Sequence, residues 1–233
     1  SISCQRSSFF GGWRSAFQPD YLGPAVEKMI VESLKTLSGE TVQGPLLITP
    51  QLFGDGRGFF FESWNERRFS AELMASGCPE AEVTAIRFRQ DNHSRSSRGV
   101  LRGLHFQLPP EPQGKLVRCS LGEIFDVAVD LRRSSSTFGQ WVGATLSADN
   151  QQQLWVPVGF AHGFLTLSEF AEVQYKASGF WNRDCERSLR WDDPNLAIQW
   201  PLEQAGANFP LLAAKDAEAP MLDELKDSNE VFV

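Results

Sequence analysis

From residue 85 to residue 177 the chain reads as one short strand after another, and that crowding decides its fold class. Residues 85–92, 99–107, 115–121, 123–130, 141–147, 153–156, 163–167 and 171–177 are each rich in β-branched, aromatic or alternating apolar residues. Leu121-Gly122-Glu123 and Ala148-Asp149-Asn150 supply tight turns between them. So many short strands at this spacing fold into an all-β sandwich or barrel. Residues 124–131 alternate almost cleanly, with Asp126, Ala128 and Asp130 on the face opposite the bulky apolar side chains. In a barrel that holds a ligand, the polar face can be the interior one.

Upstream, residues 46–49 read as a strand, 53–58 as a Gly-rich loop, and 59–64 as a buried strand or its edge. Asn65 is placed to cap a helix from Glu66 to Ser76, and a second helix is expected around residues 222–226. No repeat or linker divides the chain, so one domain is expected over 29–233. Residues 1–28 lack periodicity and read as a disordered or non-native extension ahead of a natural start near Met29.

Composition narrows the function. Forty-two per cent hydrophobic residues in 233 are enough for a sizeable core, and a mean hydropathy of -0.27 fits a globular chain. A net charge of -7 argues against a broad basic surface for nucleic acid, though not against a local cationic pocket. No apolar run nears the roughly 18 residues of a membrane span. Cys4, Cys78, Cys119 and Cys185 are scattered without a CxxC pair, the pattern of free thiols in a reducing cytoplasm.

The chemistry concentrates in residues 99–118. A strand there carries Arg102 and His105, a Pro-rich turn follows, and Lys115 opens the next strand. By a period of two, Leu101, Gly103 and His105 share one face, and Arg102, Leu104 and Phe106 the other. A histidine and a cation on neighbouring strands suit removal of a proton from carbon beside a carbonyl: the imidazole takes the proton and the cation holds the oxyanion. On local sequence alone the other candidates stay open. His93 and His162 read equally as structural histidines, Tyr175 as a core tyrosine, and Asp216 as a loop acid. Arg57 and Arg102, set among glycines or aliphatics, call for a carboxylate or an anionic ligand. Three histidines without His-x-His or a tight His/Glu cluster disfavour a metal site.

Taken together, Phe53-Gly-Asp-Gly-Arg-Gly-Phe-Phe-Phe-Glu62, Gln90-Asp-Asn-His-Ser94, Val100-Leu-Arg-Gly-Leu-His-Phe-Gln107, Gln113-Gly-Lys-Leu-Val-Arg118, Gly159-Phe-Ala-His-Gly-Phe164 and Ala214-Lys-Asp216 resemble the dTDP-4-dehydrorhamnose 3,5-epimerase family. The likeness runs from about Met29 to about Leu225. It implies a cupin-type double-stranded β-helix (jelly roll) with a few short peripheral helices, assembled as a homodimer and working without metal or organic cofactor. The implied reaction is epimerisation of dTDP-4-dehydro-6-deoxy-D-glucose at C3 and C5. By the same likeness His105 is the base, supported by Asp216. Tyr175 is the acid on the opposite face, and Lys115 holds the C4 oxyanion. Arg57, Glu62, Gln90, Asn92, Arg102, His162, Glu186 and Lys215 match nucleotide-sugar positions. Where many relatives have paired tyrosines this chain has Phe180-Trp181, so Trp181 is the candidate for stacking on thymine. The rival readings are a 3- or 5-monoepimerase, a keto-sugar isomerase, and a non-catalytic cupin sugar-binding module.

Overall fold

The computed structural model describes residues 28–233, so the expected extension over residues 1–28 lies, but for Lys28, outside the described residues. Two antiparallel sheets face each other. The larger runs β1(Ile30–Lys35)–β2(Thr41–Thr49)–β10(Gln153–Val156)–β7(Lys115–Leu121)–β12(Phe170–Ala177)–β5(Gln90–Ser97). The smaller runs β13(Glu186–Ser188)–β6(Leu101–Gln107)–β11(Phe160–Thr166)–β8(Glu123–Asp130)–β9(Trp141–Ser147). From β5 onward the chain changes sheet at every strand except across the β8–β9 hairpin. This is the jelly roll, and the alternation brings residues far apart in sequence to one interior.

Period-two patterning explains three core layers. Ile124, Ala128, Val142, Leu146, Phe160 and Phe164 of the smaller sheet meet Val117, Leu154 and Val173 of the larger one. The opposite face of the smaller sheet, with Val127, Val129 and Leu165, is covered by Leu189, Trp191, Leu222 and Leu225 from the C-terminal segment. The outer face of the larger sheet buries Leu46, Ile48, Leu116 and Trp155 under Phe69, Leu73 and Val83 of two helices. Both faces of β8 are therefore buried, and Asp126 and Asp130 are wholly enclosed.

Helix α1(Glu66–Ala75) begins where expected: Asn65 Oδ1 accepts from Arg68 N at 3.1 Å, and Glu66 sits at the positive end of the dipole. Its Phe69 and Leu73, one turn apart, are the buried pair.

Three local expectations are corrected. Residues 80–85 form α2(Glu80–Ala85) after Pro79, with Glu80 and Glu82 in its first turn, and the strand expected at 85–92 starts only at Gln90. Ala85 closes that helix, and residues 86–89 form neither helix nor strand, with Ile86 and Phe88 packed against the outer core of the larger sheet. Residues 59–64 are not a buried strand: β3(Phe53–Asp55) and β4(Gly58–Phe60) form a separate hairpin, with Phe60 69% exposed. His93, just past the end of the strand expected at 85–92, lies within β5 and pairs with Glu172 at 3.0 Å. The remaining short elements are β13, α3(Ala214–Ala217) and α4(Leu222–Asp227), the last where a helix was expected.

Candidate active site

Between the two sheets lies a cavity of about 560 Å³. The larger sheet contributes Gln90, Asn92, Ser94, Lys115 and Tyr175, and the smaller one Arg102, His105, His162 and Phe164. Trp181, Glu186, Lys215 and Asp216 complete the wall from the later chain. Eleven of the thirteen residues expected at the site thus line one cavity.

His105 reaches it by breaking the period of two. His162 stands opposite His105, and Phe164 opposite Arg102, so β6 carries one residue more than β11 between those pairs. This bulge falls at Gly103-Leu104, where Gly103 has φ +124. Gly103 is needed there: a Cβ would lie 2.6 Å from Gly163 Cα and 2.8 Å from the His162 carbonyl oxygen. The expected pairing of faces is therefore wrong past Gly103. Arg102 and His105 face the cavity together, while Leu104 and Phe106 enter the outer core.

His105 Nε2 donates to Asp216 Oδ1 at 2.6 Å. A carboxylate only accepts, so it keeps the proton on Nε2 and leaves the Nδ1 lone pair free. Burial lowers the pKa of His105 below its ordinary value, against the pull of Asp216, so the ring is neutral at pH 7. Asp216 is held below the usual carboxylate range: burial alone would raise it, but the bonds from His105 and the Gly103 N–H together outweigh that. Asp216 is delivered by α3, a single turn whose remaining residues give no local sign of a site.

Lys115 opens β7 and is buried, its Nζ 3.5 Å from the His105 carbonyl oxygen and 5.9 Å from the centre of the Tyr175 ring. Burial brings its pKa down to about 8. Burial raises that of Tyr175, and Glu186 adds to the rise, so its phenol is protonated at neutral pH and can serve as an acid.

The wall at Trp181 is pinned at several points. Gln107, buried on β6, donates to the Phe180 carbonyl at 3.0 Å and accepts from Asn182 N at 2.9 Å. Trp181 N donates to Gln90 Oε1 at 3.0 Å, its indole N–H to Glu186 Oε1 at 3.3 Å, and Lys215 pairs with Glu186 at 3.3 Å. The indole stays 55% exposed, a face available for a ligand. Arg102 Nε donates to Ser96 Oγ at 2.9 Å, leaving its other nitrogens largely uncommitted within the site.

Arg57 and Glu62 are not brought to the cavity within one chain. Arg57, its side chain 90% exposed, sits on the β3–β4 hairpin and pairs with Asp55. Glu62 accepts from Asn65 Nδ2 at 3.0 Å beside α1. The hairpin bonds to neither main sheet, so nothing draws these two inward. Local sequence gave too little weight to Ser94, Gln107 and Asp126. Asp126 alone left a signal, a carboxylate interrupting an apolar strand. A second cavity, about 410 Å³, lies on the outer face of the larger sheet; its Lys176 pairs with Asp91 at 3.0 Å and its Arg118 with Gln174 at 2.5 Å, leaving little free charge.

A sequence model of the dTDP-4-dehydrorhamnose 3,5-epimerase family matches residues 40–224. The chain belongs to that family. It is 54% identical over 179 residues to the enzyme of that name from Salmonella typhimurium, covering 77% of this chain and 91% of the relative. Identity to the Pseudomonas aeruginosa enzyme is 57% over 173 residues, covering 74% and 88%. Among solved structures, the Legionella pneumophila 3,5-epimerase in complex with dTDP-4-keto-L-rhamnose superposes with a TM-score of 0.74 at 42% identity, covering 87% of this chain and 98% of that one.

Proposed function

We propose that the cavity epimerises dTDP-4-dehydro-6-deoxy-D-glucose at C3 and C5, with His105, Lys115, Tyr175 and Asp216 in the roles the geometry suits. The chain is a dTDP-4-dehydrorhamnose 3,5-epimerase by family, and the observation that carries the mechanism is the His105–Asp216 bond beside buried Lys115. In the glucose-configured chair the C3–H and C5–H bonds are axial on the same face, so a single base can serve both. His105 Nδ1 takes the proton, the C–H pair becomes the enolate double bond, and the carbonyl pair moves to O4. Lys115 donates to that oxyanion, in a site where one such donor contributes about 3–4 kcal/mol. Tyr175 then gives its phenolic proton to the opposite face of the carbon. Imidazolium and phenolate are reset by exchange with solvent before the second centre reacts. Every step is a proton transfer between side chains and substrate, so the reading calls for no metal or organic cofactor.

Arg102 and Lys215 are suited to the diphosphate, Gln90, Asn92 and Glu186 to polar groups of the nucleotide-sugar, and His162 to the ketone side of the sugar. Trp181 is suited to stack on thymine. A homodimer is part of this reading: the exposed Phe53, Phe59 and Phe60 of the hairpin call for cover, and a second copy would carry Arg57 and Glu62 to a cavity their own chain does not give them. The free Cys78, Cys119 and Cys185 support a cytoplasmic setting, and no helix of the described residues is long and apolar enough to cross a membrane.

The test is turnover in D2O with an NADPH-dependent reductase to trap the product. Two solvent deuterons per product molecule are expected, one at each inverted carbon. A single deuteron would make the enzyme a monoepimerase, and none would leave only a sugar-binding module.

A further inference from the structure

Asp126 lies on β8, wholly buried between the sheets, and uses only half of its carboxylate. Its Oδ1 accepts from His162 Nε2 at 2.7 Å, while its Oδ2 has no hydrogen-bond partner among the described residues. A buried carboxylate oxygen left unpaired costs stability, so its presence asks for a reason. Nearby is the opposite oddity. Lys115 is a buried ammonium whose one hydrogen bond is the 3.5 Å contact to the His105 carbonyl, with no carboxylate at ion-pair distance among the described residues. Lys115 lacks the partner that burial normally demands, and Asp126 has one for only one of its two oxygens.

We propose that Asp126 is a positioning residue for the epimerisation: it holds the Lys115 ammonium charged from a distance while its bond to His162 keeps it from capturing that ammonium. The proposal rests on Lys115 holding O4, as set out above. A direct ion pair would also keep Lys115 charged, but it would turn the N–H donors away from the ketone. A carboxylate tethered one step away supplies the field and leaves the donors free.

The groups facing Lys115 agree. They are Arg102 and His105 from β6, Asp126 from β8, His162 from β11, Tyr175 from β12, Glu186 from β13, and Lys215 and Asp216 from α3. Three are anionic, and Asp216 is committed to His105. Glu186 already accepts from the Trp181 indole and pairs with Lys215, which spreads its charge away from Lys115. Burial drives the Lys115 pKa down to about 8, and Asp126 is the strongest charge opposing that fall, ahead of Glu186.

Asp126→Asn keeps the shape and a bond to His162 while deleting the charge. The expected result is unchanged dTDP affinity with the alkaline limb of kcat/KM moved acidward by about one to three pH units. Turnover at pH 8 should then fall at least about five-fold, with a smaller loss at pH 6.5. In a Lys115→Arg background the same substitution should leave the limb in place, because guanidinium does not titrate there. A limb unmoved in the single variant overturns the proposal whatever the plateau, and a limb that still moves in the arginine background assigns the effect to another group and overturns it too. Should Asp126→Asn not fold, His162→Gln decides. It releases Oδ1 and retains the charge, so the limb should stay or move to higher pH, and an acidward move refutes the idea. Failure of the wild-type enzyme to take up two deuterons would count against the epimerase reading and not against Asp126.

Discussion

Asp216→Asn removes one charge and almost no volume, and its consequences can be worked from the geometry. The 2.6 Å bond from His105 Nε2 to Oδ1 is charge-assisted whenever the ring becomes imidazolium, the state formed as the substrate proton arrives. An amide oxygen can still accept from Nε2 but no longer stabilises the positive ring. Hydrogen bonds to charged groups contribute about 1.5–3 kcal/mol, so kcat should fall about 10- to 200-fold. The pH dependence should move with it. Burial lowers the His105 pKa and Asp216 opposes that fall. Deleting the carboxylate therefore lowers the pKa further, and the acid limb of kcat/KM shifts to lower pH, opposite to the shift that loss of a cation would produce. Reductase-coupled turnover across pH 5–8, with dTDP affinity as the control for folding, reads both effects. An unchanged plateau, or a limb displaced to higher pH, would refute the claim that Asp216 supports the base.

Four further results are expected. Tyr175→Phe should retain deuterium exchange at the first carbon while product formation falls about 10²–10⁴-fold; normal product formation removes Tyr175 from the acid role. Trp181→Ala should weaken dTDP binding by about 1–3 kcal/mol with kcat little changed, measured by calorimetry, and equal affinity would mean the base lies elsewhere. Gly103→Ala places a Cβ 2.6 Å from Gly163 Cα at φ +124, so Tm should drop with a loss of about 1–3 kcal/mol, and an unaltered Tm would show that the bulge is not required. Arg57→Ala and His105→Ala, each inactive alone, should regain about a quarter of wild-type activity when mixed and allowed to exchange subunits; no recovery would mean that Arg57 serves its own chain or none.

How much was legible without coordinates depended on how local the signal was. Residues 115–121, 123–130, 141–147 and 153–156 carry their period of two in contiguous residues, and the strands formed there with those bounds. The Asn65 cap and the Phe69–Leu73 pair announced α1 in the same way. His105 and Lys115 stood out because charge inside an apolar strand is costly unless used. Asp216 did not, since nothing within α3 distinguishes it from a surface acid. Only family likeness singled it out, and only the docking of that turn against β6 explains it.

The sequence by itself settled the all-β class and the identity of the chemical groups, because side-chain alternation and residue type are properties of neighbouring positions. Tertiary structure decided which groups meet. The extra residue at Gly103 turned His105 and Arg102 to the same cavity against strict alternation, since register is a relation between strands and not within one. It also left Arg57 on a hairpin bonded to neither sheet and Glu62 beside α1, both away from the cavity of their own chain.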